Sequence, residues 1–335
     1  MKKNILITGG AGFIGAHLTR ELLKLEHFQT VVLDDLSGGF VDNIPEDVIF
    51  IEGSINDTDL VNDLFEKYKF QYVYHLAAYA AEGLSHFIRK FNYNNNLIGS
   101  INLINASINH EVECFVFTSS IAVYGAGQVP MIETMTPTPE DPYGIAKYAV
   151  ELDLANASRM FGLNYVIFRP HNVYGEYQNI GDKYRNVVGI FMNQILQGRP
   201  MSIFGDGSQQ RAFSYVGDII PTIASAAWNK NSYGEVFNVG ADIPYSVKEL
   251  AYEVMKITGN PEYPIDFTNE RNEVKIAYSD HQKVKNYFKI NHPQLSLQEG
   301  LQRMTDWVKT AGRRQSKNFE NIEVTKNLPP SWLKK

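Results

Sequence analysis

With 335 residues and 44% hydrophobic side chains, the chain can bury one large core or two fused ones, which excludes wholesale disorder. Its 31 basic and 37 acidic residues leave a formal charge of −6, without the clustered Lys and Arg of a polyanion binder, so no nucleic-acid partner is expected. A single cysteine, Cys114, excludes an intrachain disulfide and reads as an inert strand residue.

The opening MKKNILITGG holds only a short apolar run, too brief for the core of a signal peptide, and no later stretch approaches a membrane-spanning length. A cytoplasmic location without a membrane partner is expected. Short β-branched and aromatic runs predict strands at 4–9, 30–34, 48–53, 72–77, 114–119 and 165–170. Between them, apolar residues at three- and four-residue spacings predict helices near 13–25, 57–68, 94–108 and 143–161. That alternation implies an α/β fold, a Rossmann-type doubly wound parallel sheet covered by helices on both faces. From about residue 173 the elements shorten and mix, which suggests a smaller C-terminal α/β lobe over 173–312 after a dinucleotide-binding domain over 1–172. The run 235–240 is expected to return and extend the sheet, and the polar, basic end 313–335 reads as a tail or an oligomer arm.

The first strand runs directly into Gly9-Gly10-Ala11-Gly12-Phe13-Ile14-Gly15, and an amphipathic helix follows. Glycines at Gly9, Gly12 and Gly15 let the backbone turn sharply and approach a pyrophosphate, whose charge would sit on the free amides of the helix N-terminus. The second strand ends in Asp34, nineteen residues after Gly15, where a carboxylate can accept both hydroxyls of an adenosine ribose. No arginine follows at once, so NAD is favoured over NADP. Asp35 is the fallback for that role, or a solvated turn residue.

After the fifth strand comes Thr118-Ser119-Ser120-Ile121-Ala122-Val123-Tyr124-Gly125, and twenty-three residues beyond Ser120 stands Tyr143 in Tyr143-Gly144-Ile145-Ala146-Lys147. Asp141 can cap the following helix and Pro142 can begin it, so Tyr143 and Lys147 lie one turn apart on one face. A free phenol titrates near about 10, too high for a base at neutral pH, but a neighbouring ammonium and a positive nicotinamide both favour the phenolate. Tyr143 is therefore the expected acid/base. Lys147 would also hold the nicotinamide ribose, and Ser120 would align the reacting hydroxyl.

Together with HLAA (75–78), PYGIAK, RPHNVYG (169–175) and IFGDGSQQRAFSYVGD (203–218), these motifs resemble the extended short-chain dehydrogenases over about residues 4–310. Within that superfamily the chain is most similar to nucleotide-sugar epimerases of the UDP-glucose 4-epimerase type. The resemblance implies a nucleotide-sugar substrate and a cofactor pocket lined also by Phe13, Ile14, Leu36, Ser54, Ile55, Leu76, Ala77, Ala78, Asn96 and Pro170. It further implies that Asn172 and Asn186 contact the sugar diphosphate, that Arg211 and Arg271 bind its phosphates, and that segment 201–206 frames the base. A homodimer through the helices 94–108 and 143–161 follows from the same resemblance, and no metal does. Two departures stand out: Ser54 replaces an Asp that reads adenine in relatives, and His171 replaces the usual Phe or Tyr, as in GDP-mannose 3,5-epimerase.

Relatives that dehydrate, decarboxylate or epimerise at C3 and C5 carry an extra acid, base or thiol just after the catalytic serine or threonine. This chain has Ile121-Ala122 there, and Gly181 where a partner lysine would fall. The simplest chemistry is 4-epimerisation through a transient 4-keto sugar with retained NAD, and UDP is the family default. Alternatives are a GDP-mannose 3,5-epimerase-like or dehydratase reaction using His171 or Glu82, and a non-catalytic NAD-binding sensor. The segment 77–91 is unlike that of the standard UDP-galactose enzyme, and its Glu82, His86 and Arg89 either receive an unusual or charged sugar or are simply solvated.

Overall fold

Seven parallel strands form the central sheet of the computed structural model, which describes the chain apart from residues 1, 183, 271–273, 292, 313, 315, 317–318, 320, 330–331 and 333–335. They are β1 (Lys3–Thr8), β2 (Phe28–Asp34), β3 (Ile49–Glu52), β4 (Tyr72–His75), β5 (Cys114–Thr118), β6 (Tyr165–Pro170) and β7 (Glu235–Val239). Their spatial order is β7-β6-β5-β4-β1-β2-β3, so the run reverses beside β1, and a crevice opens there at the carboxyl ends of the strands. Thr8 is in register with both Leu33 and His75, and Thr118 with Phe168, which brings Gly9, Asp34, Leu76, Ser119 and Pro170 to one edge. The return of the run near 235 is thus observed, as β7 against β6.

Strand alternation divides the core. Ile5 and Ile7 pack with Leu18 and Leu22 of α1 (Phe13–Leu23), while Leu6 faces the other way onto Val61, Leu64 and Phe65 of α2 (Thr58–Tyr68). That second face also buries Leu103 of α3 (Gly99–Asn109) and Val150 and Leu154 of α4 (Pro142–Phe161). A helix was expected from 94, but the chain is already helical over Arg89–Tyr93 and makes a π-helical turn over Asn94–Ile98 before α3. The turn tucks the Asn96 side chain against the peptide of Tyr79, donating to its carbonyl at 3.1 Å and accepting from its amide at 2.8 Å. Such local π turns recur at functional sites.

Beyond β6 the chain forms α5 (Val187–Leu196), α6 (Val216–Ser225), α7 (Val247–Ile257) and α8 (Leu297–Ala311), with small sheets between them. Phe191, Ile219, Leu250 and Leu301 of these helices join the α1 side of the main core. After α8 the described residues turn back over the chain, where Phe319, Ile322 and Trp332 pack with Tyr79, Leu84 and Ile88. Among the described residues, no helix is long and apolar enough to cross a membrane.

Candidate active site

The glycine turn is built by close backbone approach. Gly9 adopts φ +77°, where L side chains are strained, and a Cβ on Gly15 would stand 2.1 Å from the Gly9 carbonyl oxygen. Gly12 opens α1 without a side-chain cap, so the first amides of the helix are left for a ligand. At the end of β2, Asp34 is buried and accepts from the Ala11 amide at 3.0 Å and the Leu36 amide at 2.9 Å. Burial pushes its carboxyl above the usual range, and those amide bonds pull the other way. Asp35 is exposed and accepts from the Ser37 amide at 2.9 Å, which makes it the turn residue of the pair.

From this turn a cleft of about 1550 Å³ runs along the strand ends, ample for a dinucleotide and a second ligand. Gly9, Gly12, Phe13, Ile14, Gly15, Asp34, Asp35, Ile55, Leu76, Ala77, Ala78 and Pro170 border it, together with Ser120, Tyr143 and Lys147. Leu36, Ser54 and Asn96 stand outside that lining. Leu36 takes φ +55°, Ser54 accepts from the Asn56 amide, and Asn96 is committed to the Tyr79 peptide. The buried Thr118 hydroxyl has no partner on the cleft wall, which suits a polyhydroxylated ligand. Backbone cradle, buried carboxylate and orphaned hydroxyl together fit NAD.

Asp141 caps α4 through the Gly144 amide at 2.9 Å with Pro142 in the first turn, as expected from the sequence. This presents Tyr143 and Lys147 to the cleft, with the Tyr143 phenol close enough to Ser120 to feel its hydroxyl. Burial pushes the Tyr143 phenol well above its usual range; Ser120 and Arg185 pull it down, while Asp141 and Glu82 push it up. The Lys147 ammonium donates to the Thr118 carbonyl at 2.8 Å and lies over the Phe117 ring at 4.7 Å. Burial lowers it to about 7 against the pull of Glu151. The expected phenolate is therefore not favoured by Lys147 alone, because burial of both groups outweighs their proximity.

Glu151 and Arg169 escaped the sequence reading. Glu151 lies one turn beyond Lys147, accepts from Arg169 Nε at 2.9 Å and from the Ser119 hydroxyl at 2.5 Å, and all three residues are buried. The i, i+4 step from Lys147 was the available signal. His75 also went unassigned. Its ring bridges Thr8 Oγ1 at 2.7 Å and Ser100 Oγ at 2.8 Å, and burial lowers its pKa further than nearby Lys147 does.

Of the substrate candidates, Asn172, Asn186 and Arg211 border the cleft. Asn172 adopts φ +43°, a backbone that asparagine tolerates, and Asn186 caps α5 through the Val188 amide at 2.9 Å. Arg211 donates to the carbonyls of Gln210, Val274 and Lys275, and Arg271 lies outside the described residues. His171, weighed as an alternative acid/base, has both ring nitrogens occupied. Its Nδ1 donates to the Ala212 carbonyl at 2.9 Å, so its Nε2 accepts from His281 at 3.0 Å, and His281 in turn meets Asp242 at 2.7 Å. It braces the end of β6.

A family model described as the NAD dependent epimerase/dehydratase family matches residues 5–240. The chain belongs to that family. A relative in Methanocaldococcus jannaschii named putative UDP-glucose 4-epimerase is 33% identical over 322 residues, covering 92% of this chain and 99% of its own. The Thermotoga maritima UDP-glucose 4-epimerase, solved with UDP-glucose, superposes with a TM-score of 0.86 at 34% identity, covering 92% of this chain and 99% of that one. The mouse dTDP-D-glucose 4,6-dehydratase is 29% identical over 337 residues, 96% of this chain and 92% of its own. This family member is an NAD-dependent enzyme.

Proposed function

We propose that this enzyme interconverts the C4 epimers of a UDP-hexose. The observation that carries the reading is the setting of Ser120 and Tyr143, side by side on the cleft wall. The two side chains that follow Ser120 are Ile121 and Ala122, both on the cleft wall, and neither can move a proton. Tyr143 accepts the 4-hydroxyl proton, Ser120 aligns that hydroxyl, and Lys147 holds the ribose next to the reacting carbon. Bound NAD supplies the acceptor for the C4 hydride and gives it back. With no second proton-transfer group beside Ser120, the 4-keto sugar turns over and is reduced on its other face, and Tyr143 returns the proton to O4.

The nucleotide is assigned as UDP because the relatives named above include UDP-glucose epimerases. Asn172 and Asn186 would meet the diphosphate, while Asp34 would take the adenosine ribose and the amides at Gly12–Ile14 the pyrophosphate. We further propose a cytoplasmic homodimer built on α3 and α4. Ile98, in the turn that leads into α3, and Ile145 and Leu152 on α4 are 50%, 40% and 55% exposed, apolar surface that a second copy would cover.

Incubation with UDP-glucose, UDP-N-acetylglucosamine, GDP-mannose and dTDP-glucose in deuterated water, followed by proton NMR, tests the reading. A C4 epimer of a UDP-sugar without deuterium at C3 or C5 supports it. Deuterium at those carbons or a 6-deoxy product overturns it and directs attention to Glu82, which lies within electrostatic reach of the Tyr143 phenol.

A further inference from the structure

The chain beyond α8 is fastened to the rest of the molecule at several points. Arg314 donates to Asn43 Oδ1 at 2.6 Å and lies over the Phe40 ring at 4.7 Å, and the Ser316 hydroxyl donates to Asn179. Phe319 packs against Tyr79 and Phe91, with ring centres 5.3 and 4.9 Å away. The Glu323 carboxylate accepts from the amides of Lys90 and Phe91 at 2.7 and 2.8 Å, while the amides of Glu323 and Val324 both donate to the Phe87 carbonyl. Trp332 then stands between Phe87 and Tyr184, at 6.0 and 5.1 Å.

This fastening has a place in the cleft. Leu328, Pro329 and Trp332 border it beside Phe87. The stretch that Glu323 holds is tied to the reacting end, because Asn92 donates to the Pro142 carbonyl, at the start of the Tyr143 helix, at 2.8 Å. Leu328, Pro329 and Trp332 therefore wall the Tyr143 end of the cleft, while Arg314 and Ser316 fasten the tail beside the glycine turn through Asn43 and Asn179.

We propose that the C-terminal segment is a strap that completes the sugar subsite, in which Leu328, Pro329 and Trp332 form with Phe87 an apolar wall that admits a neutral hexose and rejects a uronate. A carboxylate buried against that wall would lose its water without gaining a partner. Arg185, a described cation nearby, is paired with Asp182 at 2.9 Å and stacked on Tyr79 at 4.9 Å. Burial and Arg89 hold His86 below its usual range, so it stays neutral at pH 7. Glu323 is a positioning residue, since it acts through the strap that it anchors.

The inference rests on the sugar-nucleotide reading of this cleft, and its test separates the two. Wild type, Trp332→Ala and Glu323→Ala are titrated with UDP, UDP-glucose and UDP-glucuronate by calorimetry, with kcat and KM for UDP-glucose measured alongside. Wild type is expected to bind UDP-glucose roughly tenfold or more tighter than UDP-glucuronate, and each variant to weaken UDP-glucose by roughly tenfold while UDP affinity and kcat hold. Glu323→Ala keeps the test sound if Trp332→Ala fails to fold. Equal wild-type affinity for the two sugars overturns the strap, as does unchanged UDP-glucose affinity in the variants or a parallel loss of UDP affinity. Binding as expected without any epimer would overturn the 4-epimerase assignment and leave the strap standing.

Discussion

The two ends of the cleft are made differently. The cofactor end is contiguous: β1, the glycine turn and the start of α1 occupy residues 3–23, and Asp34 follows one strand later. Its specificity lies in backbone, in a left-handed Gly9, uncapped amides and a carboxylate held by two peptide N–H groups. The sugar end joins side chains from 79–91, Tyr184 and the strap, pieces far apart in the chain. Backbone-made sites tolerate little variation and read as motifs, whereas side-chain walls can be exchanged to change the ligand on one scaffold.

Tyr143 lies where the ends meet, so its loss has the largest expected effect. Tyr143→Phe keeps the ring and the Lys147 contacts but removes the proton carrier, and kcat should fall by roughly a thousandfold with NAD still bound. A fall of less than about tenfold, in the range that mere positioning explains, would place the acid/base elsewhere along the cleft. The next effect should be confined to the cofactor end. Asp34→Ala strips the acceptor from the Ala11 and Leu36 amides and should weaken NAD by roughly ten- to a hundredfold, by the cost of orphaning buried donors. With NAD resupplied to saturation, the KM for UDP-glucose should be unchanged. A parallel rise in KM would show that the ends are coupled.

This contrast also explains what could be read from the sequence. The doubly wound sheet and the glycine turn were legible because each is specified by local spacing, and Asp34, Ser120, Tyr143 and Lys147 fall together on the cleft wall. The π turn at Asn94–Ile98 was not, since its cause is the Asn96–Tyr79 contact across seventeen residues. Glu323 gave no signal at all: its role as acceptor for the Lys90 and Phe91 amides exists only after the chain has doubled back. His171 was noticed, but as an alternative acid/base, because its partner His281 is 110 residues away.

That pairing yields the smallest expected effect and tests whether long-range contacts also stabilise the fold beyond the sugar end. His171 is lowered to about 3 by burial first and by His281 second, against the pull of the Ala212 carbonyl and Asp242. Above pH 6.5 the ring is neutral in both the folded and the unfolded chain and is neutral to stability. As the pH falls below 6.5, the unfolded chain takes up a proton that the folded chain refuses, so stability is lost progressively down to about 3. The groups facing this pair are Ser279, Asp242 and Lys285. Asp242 is itself lowered from 3.8 to about 2, chiefly by its hydrogen bond to His281, so its stabilisation is lost only as the pH falls through that range, well below the interval from 7.5 to 6. His171→Phe should therefore flatten the acid limb, removing about 1 kcal/mol of the loss between pH 7.5 and 6. Denaturant melts at the two pH values measure it, and an unchanged difference between them would mean that His171 takes its proton in the folded chain.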